Sequence, residues 1–80
     1  MYFVYILQCT DGSLYTGITT DVERRVQEHI KGTAAKYTRA RKVKHLAYSE
    51  EAKDRSAALK REAEIKRWPR KKKLDLVQRS

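Results

Sequence analysis

Five side chains of this sequence have types and an order that suit the hydrolysis of a phosphodiester bond. They are Tyr5 and Tyr15, then Arg25 and His29 one helical turn apart, and much later Glu62. The reaction requires an activated water, charge compensation for the phosphate oxygens and help for the departing oxygen. A tyrosine could accept a proton from the water. Arg25 offers a planar cation to two phosphate oxygens, and His29 could donate a proton, orient the water or contact the phosphate.

The same residues also have structural interpretations, which the sequence leaves open. Aromatic residues in a half-buried strand mainly pack in a core, and Arg25 could form a surface ion pair with Asp21 or Glu28. A histidine beside an apolar stripe is often a packing residue. The pKa of a phenol, near 10, is about three units above neutrality, or roughly 4 kcal/mol, so a tyrosine base depends on nearby positive charge.

A hairpin must carry the two tyrosines. Residues 2–7 are apolar almost throughout and rich in aromatic and β-branched types, and a second short run covers residues 14–18. The turn sequence Thr-Asp-Gly-Ser at 10–13 lies between them. Two such runs separated by turn residues predict a pair of antiparallel strands.

The length of the loop decides whether the tyrosines can act together. A two-residue turn would place Tyr5 and Tyr15 on opposite faces of the sheet. A three-residue loop over 10–12, with its glycine left-handed, would pair Tyr5 with Gly17 and Leu7 with Tyr15, so that both rings share a face. We predict the three-residue loop, because only this register builds a site. Gly17 then leaves room for the Tyr5 ring.

A first helix is predicted over about residues 21–31. Thr20 and Glu23 have the spacing of a capping box. Arg25 and His29 are predicted on the edge of the apolar stripe, facing the sheet. The residues of that stripe are Val22, Val26 and Ile30.

A second helix is predicted from Asp54, a capping residue, to about residue 67. Glu62 falls within its apolar stripe. An ionised carboxylate that faces a core costs several kcal/mol unless it is paired, hydrogen-bonded or bound to a metal. The predicted stripe is Ala58, Leu59 and Ile65, and the candidate ion-pair partners of Glu62 are Arg25, Arg61 and Lys66.

The intervening segment gives weaker signals. Residues 33–42 predict a basic connection with one short helical turn at 34–38, and residues 43–49 predict a third strand with Leu46 and Tyr48 on one side. Near the end of the chain, Pro69 suits the first turn of a last helix. The predicted anchors of that helix are Leu74 and Val77.

The charge of the chain predicts a polyanionic partner. Nineteen Lys and Arg against ten Asp and Glu give a net charge of +9, with the excess concentrated at 36–44 and 66–73. Tyr37 could stack on an unpaired base or anchor its loop. The candidate nucleic-acid contacts are Lys36, Tyr37, Arg39, Arg41, Lys42, Arg70, Lys71 and Lys72.

The size of the chain predicts one domain over residues 1–80 with a small core. Cys9 has no second cysteine with which to form a disulfide, which favours a cytoplasmic protein. The longest apolar run, residues 1–7, is too short to span a bilayer. Cys9, His29 and His45 lack the spacing of zinc ligands, and the sequence has no glycine-rich phosphate loop.

These motifs together resemble the GIY-YIG nuclease superfamily over about residues 1–68. Residues 3–5 (Phe-Val-Tyr) stand at the first family triplet and residues 15–17 (Tyr-Thr-Gly) at the second. The likeness is greatest to the small stand-alone bacterial members, of UPF0213 type. Phe3 replaces the first glycine of the family name.

The resemblance implies an α+β fold, with a small three-stranded antiparallel sheet flanked by helices. It also implies metal-dependent cleavage of DNA, with selectivity for substrate shape and a connection to repair or recombination. Glu62 would hold one Mg²⁺ or Mn²⁺ ion. Tyr15 is favoured as the base, and Tyr5 as the residue that orients.

Two rival functions remain open. The first is a non-catalytic nucleic-acid-binding module of the same fold, and the second is an adaptor whose basic last helix docks on an acidic protein. Nucleases of the resembled kind often select their target with a separate domain, for which this length leaves no room. Selectivity is therefore expected from substrate shape or from a partner protein.

Overall fold

The computed structural model describes residues 1–79, which form a three-stranded antiparallel sheet and four helices. The predicted α+β fold is confirmed. The strands lie in the spatial order β2-β1-β3, so β1 is central. The elements in chain order are β1 (Tyr2–Cys9), β2 (Leu14–Thr19), α1 (Val22–Ile30), α2 (Lys36–Arg41), β3 (Val43–Ala52), α3 (Arg55–Lys66) and α4 (Arg70–Gln78).

The hairpin of β1 and β2 has the predicted three-residue loop. Tyr5 pairs with Gly17 and Leu7 pairs with Tyr15. The backbone N–H of Cys9 donates to the carbonyl of Ser13 at 2.9 Å, which closes the loop. The loop glycine has φ +85°, the left-handed conformation that favours glycine. Both tyrosines therefore lie on one face of the sheet.

The central strand separates two packed layers. Val4 and Ile6 of β1 form the main apolar cluster with Ala58 and Ile65 of α3, and all four are fully buried. Side chains alternate between the faces of a strand, so Tyr5 points to the opposite face. There it meets His29 of α1, and α1 forms the second layer together with α2. The site is built in this second layer.

The start of α1 differs from the prediction. Asp21 is the N-cap residue, and its carboxylate accepts a hydrogen bond from the backbone N–H of Arg24 at 3.1 Å. Thr20 is therefore not the cap. The difference arises because Asp21 itself has the extended backbone that a capping residue needs, and the helix begins one residue later.

The inward face of α1 also differs. Ile30 was predicted to face the sheet, but it is 55% exposed, whereas His29 is buried. Consecutive helical residues are rotated by about 100° around the axis, so only one of this pair can face inward. Because His29 finds hydrogen-bond partners in the second layer, the histidine takes the inward position.

The middle of the chain is more regular than predicted. The short helix spans Lys36–Arg41, later than the predicted 34–38, and β3 continues to Ala52. Leu46 and Tyr48 do not share a face, which makes that prediction wrong. The pairing shifts along β1 at this point, because Tyr48 pairs with Ile6 and Leu46 with Leu7. Ala47 is the extra residue of a β-bulge, which an alternating pattern does not show.

The last two helices largely follow the prediction. Asp54 caps α3 by accepting from the N–H of Ala57 at 2.8 Å. Leu59 was predicted to face inward, but it is 37% exposed. Ala58 and Ile65 occupy the inward positions seven residues apart, and Leu59 is rotated away from that line.

Pro69 precedes the first residue of α4. Leu76 and Val77 pack against the main cluster, while Leu74 is half-buried outside it. Val77 is thus a correct anchor, and Leu76 takes the place predicted for Leu74. Within residues 1–79, none of the helices has the length and apolar composition needed to cross a membrane.

Candidate active site

Tyr5 is the buried centre of the site. Its side chain is 1% exposed, and its hydroxyl lies 2.8 Å from Nε2 of His29. Gly17 lies opposite on β2, and a Cβ atom there would be 2.6 Å from the Tyr5 hydroxyl oxygen. The ring therefore occupies the space that any other residue at position 17 would need. This agrees with the predicted reason for a glycine.

A chain of hydrogen bonds assigns the tautomer of His29. The hydroxyl of Thr38 donates to the carbonyl of Ala35 at 3.2 Å, so its oxygen accepts from Nδ1–H of His29 at 2.7 Å. Nε2 then carries the lone pair and accepts from the Tyr5 hydroxyl. Tyr5 therefore donates to His29, His29 donates to Thr38, and Thr38 donates to a backbone carbonyl.

Burial controls the protonation of Tyr5 and His29. It lowers the pKa of His29, an effect that Arg25 strengthens and Glu28 opposes. Burial also raises the pKa of Tyr5 to about 12, against the lowering effect of Arg25. Arg25 thus acts in the predicted direction on the pKa of Tyr5, but desolvation outweighs the guanidinium. At neutral pH, His29 is neutral and Tyr5 keeps its proton.

We predict that the free energy of unfolding decreases on both sides of neutral pH, at low pH because of His29 and at high pH because of Tyr5. The folded state disfavours protonated His29, so the unfolded chain takes up a proton first as the pH falls. The free energy of unfolding should therefore decrease below about pH 6.5. At high pH the unfolded chain releases the tyrosine proton first. Stability should fall as the pH rises from about 10 to about 12, the folded-state value of Tyr5.

Urea unfolding measured as a function of pH checks this prediction. His29→Gln should reduce the loss of stability on the acid side, whereas His45→Gln, at an exposed position of β3, should leave it unchanged. An acid limb of equal size in the wild type and in His29→Gln would contradict the assignment.

Tyr15 lies beside this chain on the same face. Its ring centroid is 6.4 Å from that of Tyr5, 5.0 Å from that of His29 and 5.7 Å from that of Tyr37. The residue is half-buried, and its hydroxyl makes no hydrogen bond to another group within residues 1–79. Tyr15 is thus the more accessible of the two phenols.

Arg25 borders the same cluster from α1. Its Nη1 atom donates to Oε1 of Glu28 at 3.0 Å, one of the ion pairs considered from the sequence. This bond, together with the nearby Tyr5 hydroxyl, raises the pKa of Arg25, so the guanidinium stays charged. The side chain is 34% exposed, which leaves it within reach of a phosphate group.

Glu62 approaches the cluster from α3. Its side chain is 20% exposed, and its carboxylate pairs with Nζ of Lys66 at 3.3 Å. Arg61, another predicted partner, binds Glu50 and Glu64 instead. Glu62 is close enough to Tyr5 that its negative charge contributes to the raised pKa of that phenol. Helix α3 therefore brings the carboxylate within electrostatic range of the second layer.

The donor set around Glu62 suits a hard cation bound through few protein ligands. Within residues 1–79, no group of three or more His, Cys, Asp or Glu side chains is placed to hold a metal ion. Mg²⁺ is commonly held by one or two carboxylates, with waters and substrate phosphate completing its shell. A single carboxylate that is 20% exposed and lies within electrostatic range of Tyr5 meets that requirement, so the residues fit such an ion.

Thr38 is a site residue that the sequence did not reveal. It is fully buried in α2 and holds Nδ1–H of His29. Its position was predicted as part of a basic connection, and no local pattern marks it. Lys66 was considered only as a partner of Glu62, but its Nζ also lies 6.0 Å from the ring centroid of Tyr15.

Replacing Thr38 with valine should destabilise the protein by about 1 to 3 kcal/mol, because Nδ1–H of His29 would lose its buried acceptor while the shape is kept. Thermal or urea unfolding measures the loss. ¹⁵N NMR of the imidazole should also show a changed tautomer population. Thr16→Val, at a buried position on the opposite face, is the matched control and should keep the His29 signals. Unchanged His29 signals in Thr38→Val would contradict the positioning role.

The predicted nucleic-acid contacts fall into two groups. In and beside α2, Tyr37 is half-buried, and the guanidinium of Arg41 lies 4.1 Å from its ring centroid. The remaining members of this group are exposed, and they are Lys36, Arg39 and Lys42.

The second group lies on α4 and points in different directions. Arg70 reaches towards the hairpin loop, with Nη2 3.7 Å from where a Cβ atom of Gly12 would lie. Lys72 covers the ring of Trp68 at 4.4 Å from its centroid, and Lys71 is exposed. The basic run is therefore not one continuous surface.

Comparison with known proteins agrees with this fold. Residues 1–75 match the family model described as the GIY-YIG catalytic domain. Proteins named UPF0213 from Staphylococcus aureus strains Mu3 and Mu50 are each 54% identical over 76 residues, covering 95% of this chain and 93% of theirs. The solution NMR structure of a UPF0213 protein from Bacillus halodurans has a TM-score of 0.62 and 46% identity, covering 98% of this chain and 84% of that one.

The fold and the paired tyrosines define a domain of the GIY-YIG type, and the chain belongs to the GIY-YIG family. Its relatives of UPF0213 type are similar along nearly their whole length. Membership supports a nuclease-type function in general and implies a nucleic-acid substrate, DNA. Nucleases of this family generally use divalent metal ions.

Proposed function

We propose that this protein is a metal-dependent endonuclease that hydrolyses phosphodiester bonds in DNA. The observation that carries the proposal is the hydrogen-bonded chain from Tyr5 through His29 to Thr38, with Tyr15 and Arg25 beside it. A structural core would not need a buried polar chain of this kind next to a charged and accessible guanidinium.

The proposed roles follow from burial. Tyr15, which is half-buried and has a free hydroxyl within residues 1–79, is the proposed base. As its phenolate it takes one proton from the attacking water and becomes the neutral phenol, while the water oxygen bonds to phosphorus and the bond to the departing oxygen breaks. Tyr5 is hydrogen-bonded to His29, and its immobilised side chain orients the water and the phosphate. His29 stays neutral and accepts the Tyr5 hydroxyl proton in a hydrogen bond at Nε2, and Thr38 keeps the imidazole in the required tautomer.

Charge on the phosphate is compensated from two directions. Arg25 contributes a permanent cation from α1. Glu62 would hold Mg²⁺ or Mn²⁺, which supplies Lewis-acid stabilisation of the phosphate and of the departing oxygen when bound. Lys66 then neutralises part of the remaining negative charge of the carboxylate.

The substrate we propose is DNA recognised by its shape, in repair or recombination in the cytoplasm. The net charge of +9 favours contact with the phosphate backbone, which carries no sequence information. The single buried Cys9 agrees with a reducing compartment. We also propose that residues 1–80 act as one domain and that a partner protein can add specificity.

Incubating the purified protein with single-stranded, duplex, flapped and branched DNA, and with RNA, tests the function. We expect nicking of DNA with Mg²⁺ or Mn²⁺ and none with a chelator. Retained binding without cleavage of any substrate would favour the non-catalytic binding module. Binding of an acidic protein that nucleic acid does not displace would favour the adaptor.

A further inference from the structure

An opening lies next to the hairpin loop, outside the cluster of Tyr5 and His29. Its volume is about 200 Å³. We call it the loop pocket, and its lining residues are Ser13, Leu14, Tyr37, Arg70 and Lys73. The hydroxyl of Tyr37 donates to the carbonyl of Leu14 at 3.4 Å, which joins two of its walls.

The loop pocket has an excess of positive charge. Arg70 and Lys73 are three residues apart in α4, so they project from neighbouring positions on one side of the helix. Neither forms an ion pair with a carboxylate within residues 1–79. Two cations that converge on one opening without an acidic partner repel each other, and an anion between them would remove that cost.

The acidic residue of the hairpin loop, Asp11, is already engaged. Asp11 accepts hydrogen bonds from the backbone N–H and the hydroxyl of Ser13, at 3.0 and 2.6 Å. Its other oxygen pairs with Nε of Arg41 at 3.4 Å. The bonds from Ser13 lower the pKa of Asp11, and Arg41 adds to this, so the carboxylate is ionised and paired. It does not neutralise the two cations of α4.

A continuous row of rings connects the loop pocket to the candidate active site. Tyr15 contacts both Tyr5 and Tyr37, with centroid distances of 6.4 and 5.7 Å, and Tyr37 lines the pocket. Arg41 covers one side of the Tyr37 ring. A DNA strand with its scissile phosphate near Tyr15 and Arg25 would therefore pass over this row towards Arg70 and Lys73.

We propose that the loop pocket binds a backbone phosphate of the substrate strand, a few nucleotides from the bond that is cut. Arg70 and Lys73 hold the phosphate oxygens, and the guanidinium of Arg70 lies beside the loop at Gly12. This inference rests on the proposed nuclease function, since it assigns a second contact to the same strand. The inference assigns phosphate binding to Arg70 and Lys73 but not to Lys72, whose ammonium group covers the ring of Trp68.

NMR titration of the ¹⁵N-labelled Glu62→Gln protein with a single-stranded oligodeoxynucleotide, in the absence of metal, tests the loop pocket without cleavage. We expect the amide signals of Ser13 and Leu14 to shift together with those near Tyr15. In a protein that also carries Arg70→Ala and Lys73→Ala, the shifts of Ser13 and Leu14 should disappear while those near Tyr15 remain. The amide spectrum shows directly whether each variant is folded.

Fluorescence anisotropy with the same labelled oligonucleotide measures the energetic contribution. The Arg70→Ala, Lys73→Ala variant should bind about tenfold more weakly, because charge-assisted contacts to phosphate are lost. The slope of log K against log salt should fall by about 0.7 for each lost phosphate contact. Arg55→Ala with Lys60→Ala removes the same charge from exposed positions of α3 and should have a much smaller effect.

Three outcomes would overturn the loop pocket. One is an absence of shifts at Ser13 and Leu14, and another is an equal loss of affinity in the Arg55 and Lys60 control. The third is an equal response of these amides to inorganic phosphate at matched phosphate concentration, which would make the pocket a general anion site. Loss of cleavage in the substrate panel, with these shifts intact, would instead reject the nuclease function and keep the strand contact.

Discussion

Glu62→Gln should reduce metal-dependent cleavage of DNA by about 100- to 1,000-fold, because the amide keeps the shape of the side chain but lacks the charge that would hold a divalent cation. The fold should be nearly unaffected. The ion pair that is lost joins Glu62 to Lys66, whose side chain is 51% exposed, and such pairs contribute less than about 1 kcal/mol. DNA binding without metal should be unchanged or stronger, since one negative charge is removed beside the phosphate.

Glu64→Gln is the matched control for this prediction. Glu64 lies on the same helix and is 52% exposed, and it pairs with Arg61 on the side away from the cluster. Initial rates of nicking at several Mg²⁺ concentrations should separate the two variants, with Glu64→Gln close to the wild type. Equal activity of Glu62→Gln and Glu64→Gln, or equal loss in both, would remove Glu62 from the site.

The hairpin shows which parts of the fold could be predicted from the sequence. Its loop glycine and the two short apolar runs are local signals, and one register alone puts Tyr5 and Tyr15 on the same face. The helix caps are also local, although Asp21 acts where Thr20 was predicted. Patterns that depend only on neighbouring residues were thus reliable to within a residue or a few.

The errors arose where a distant element decides the orientation of a side chain. The bulge at Ala47 follows from pairing with β1, and it places Leu46 and Tyr48 on opposite faces. Ile30 is exposed although it belongs to the predicted stripe, whereas His29 faces the sheet as predicted, because Tyr5 and Thr38 supply its hydrogen bonds. No helical periodicity contains that information, since the partners come from a strand and from another helix.

For the candidate site too, local sequence predicts some features, and others depend on how distant elements pack. The residue types and their order predicted Tyr5, Arg25, His29 and Glu62 as candidates, but not how they interact. The sequence left the protonation of the phenols dependent on nearby positive charge, whereas burial decides it for Tyr5. Thr38 could not be found at all, because its role appears only once α2 has packed against α1.

Gly17→Ala should destabilise the protein by about 2 to 4 kcal/mol and abolish cleavage. The added Cβ would lie 2.6 Å from the Tyr5 hydroxyl oxygen and 2.7 Å from its Cζ, so the ring must move. Tyr5 cannot move cheaply, because it is buried and bonded to His29. The expected loss combines overpacking with the buried hydrogen bond that the displaced ring breaks.

A double-mutant cycle with Tyr5→Phe identifies the cause of this loss. Removing the hydroxyl takes away the closest contact to the new Cβ, so the double variant should be more stable than the sum of the two single changes requires. Gly12→Ala is the comparator, because it strains a left-handed backbone without approaching Tyr5. Urea unfolding gives the energies, and the His29 imidazole signals report the site. Additive losses, or His29 signals equally disturbed by Gly12→Ala, would show that Gly17 serves the backbone of β2 and not the position of the Tyr5 ring.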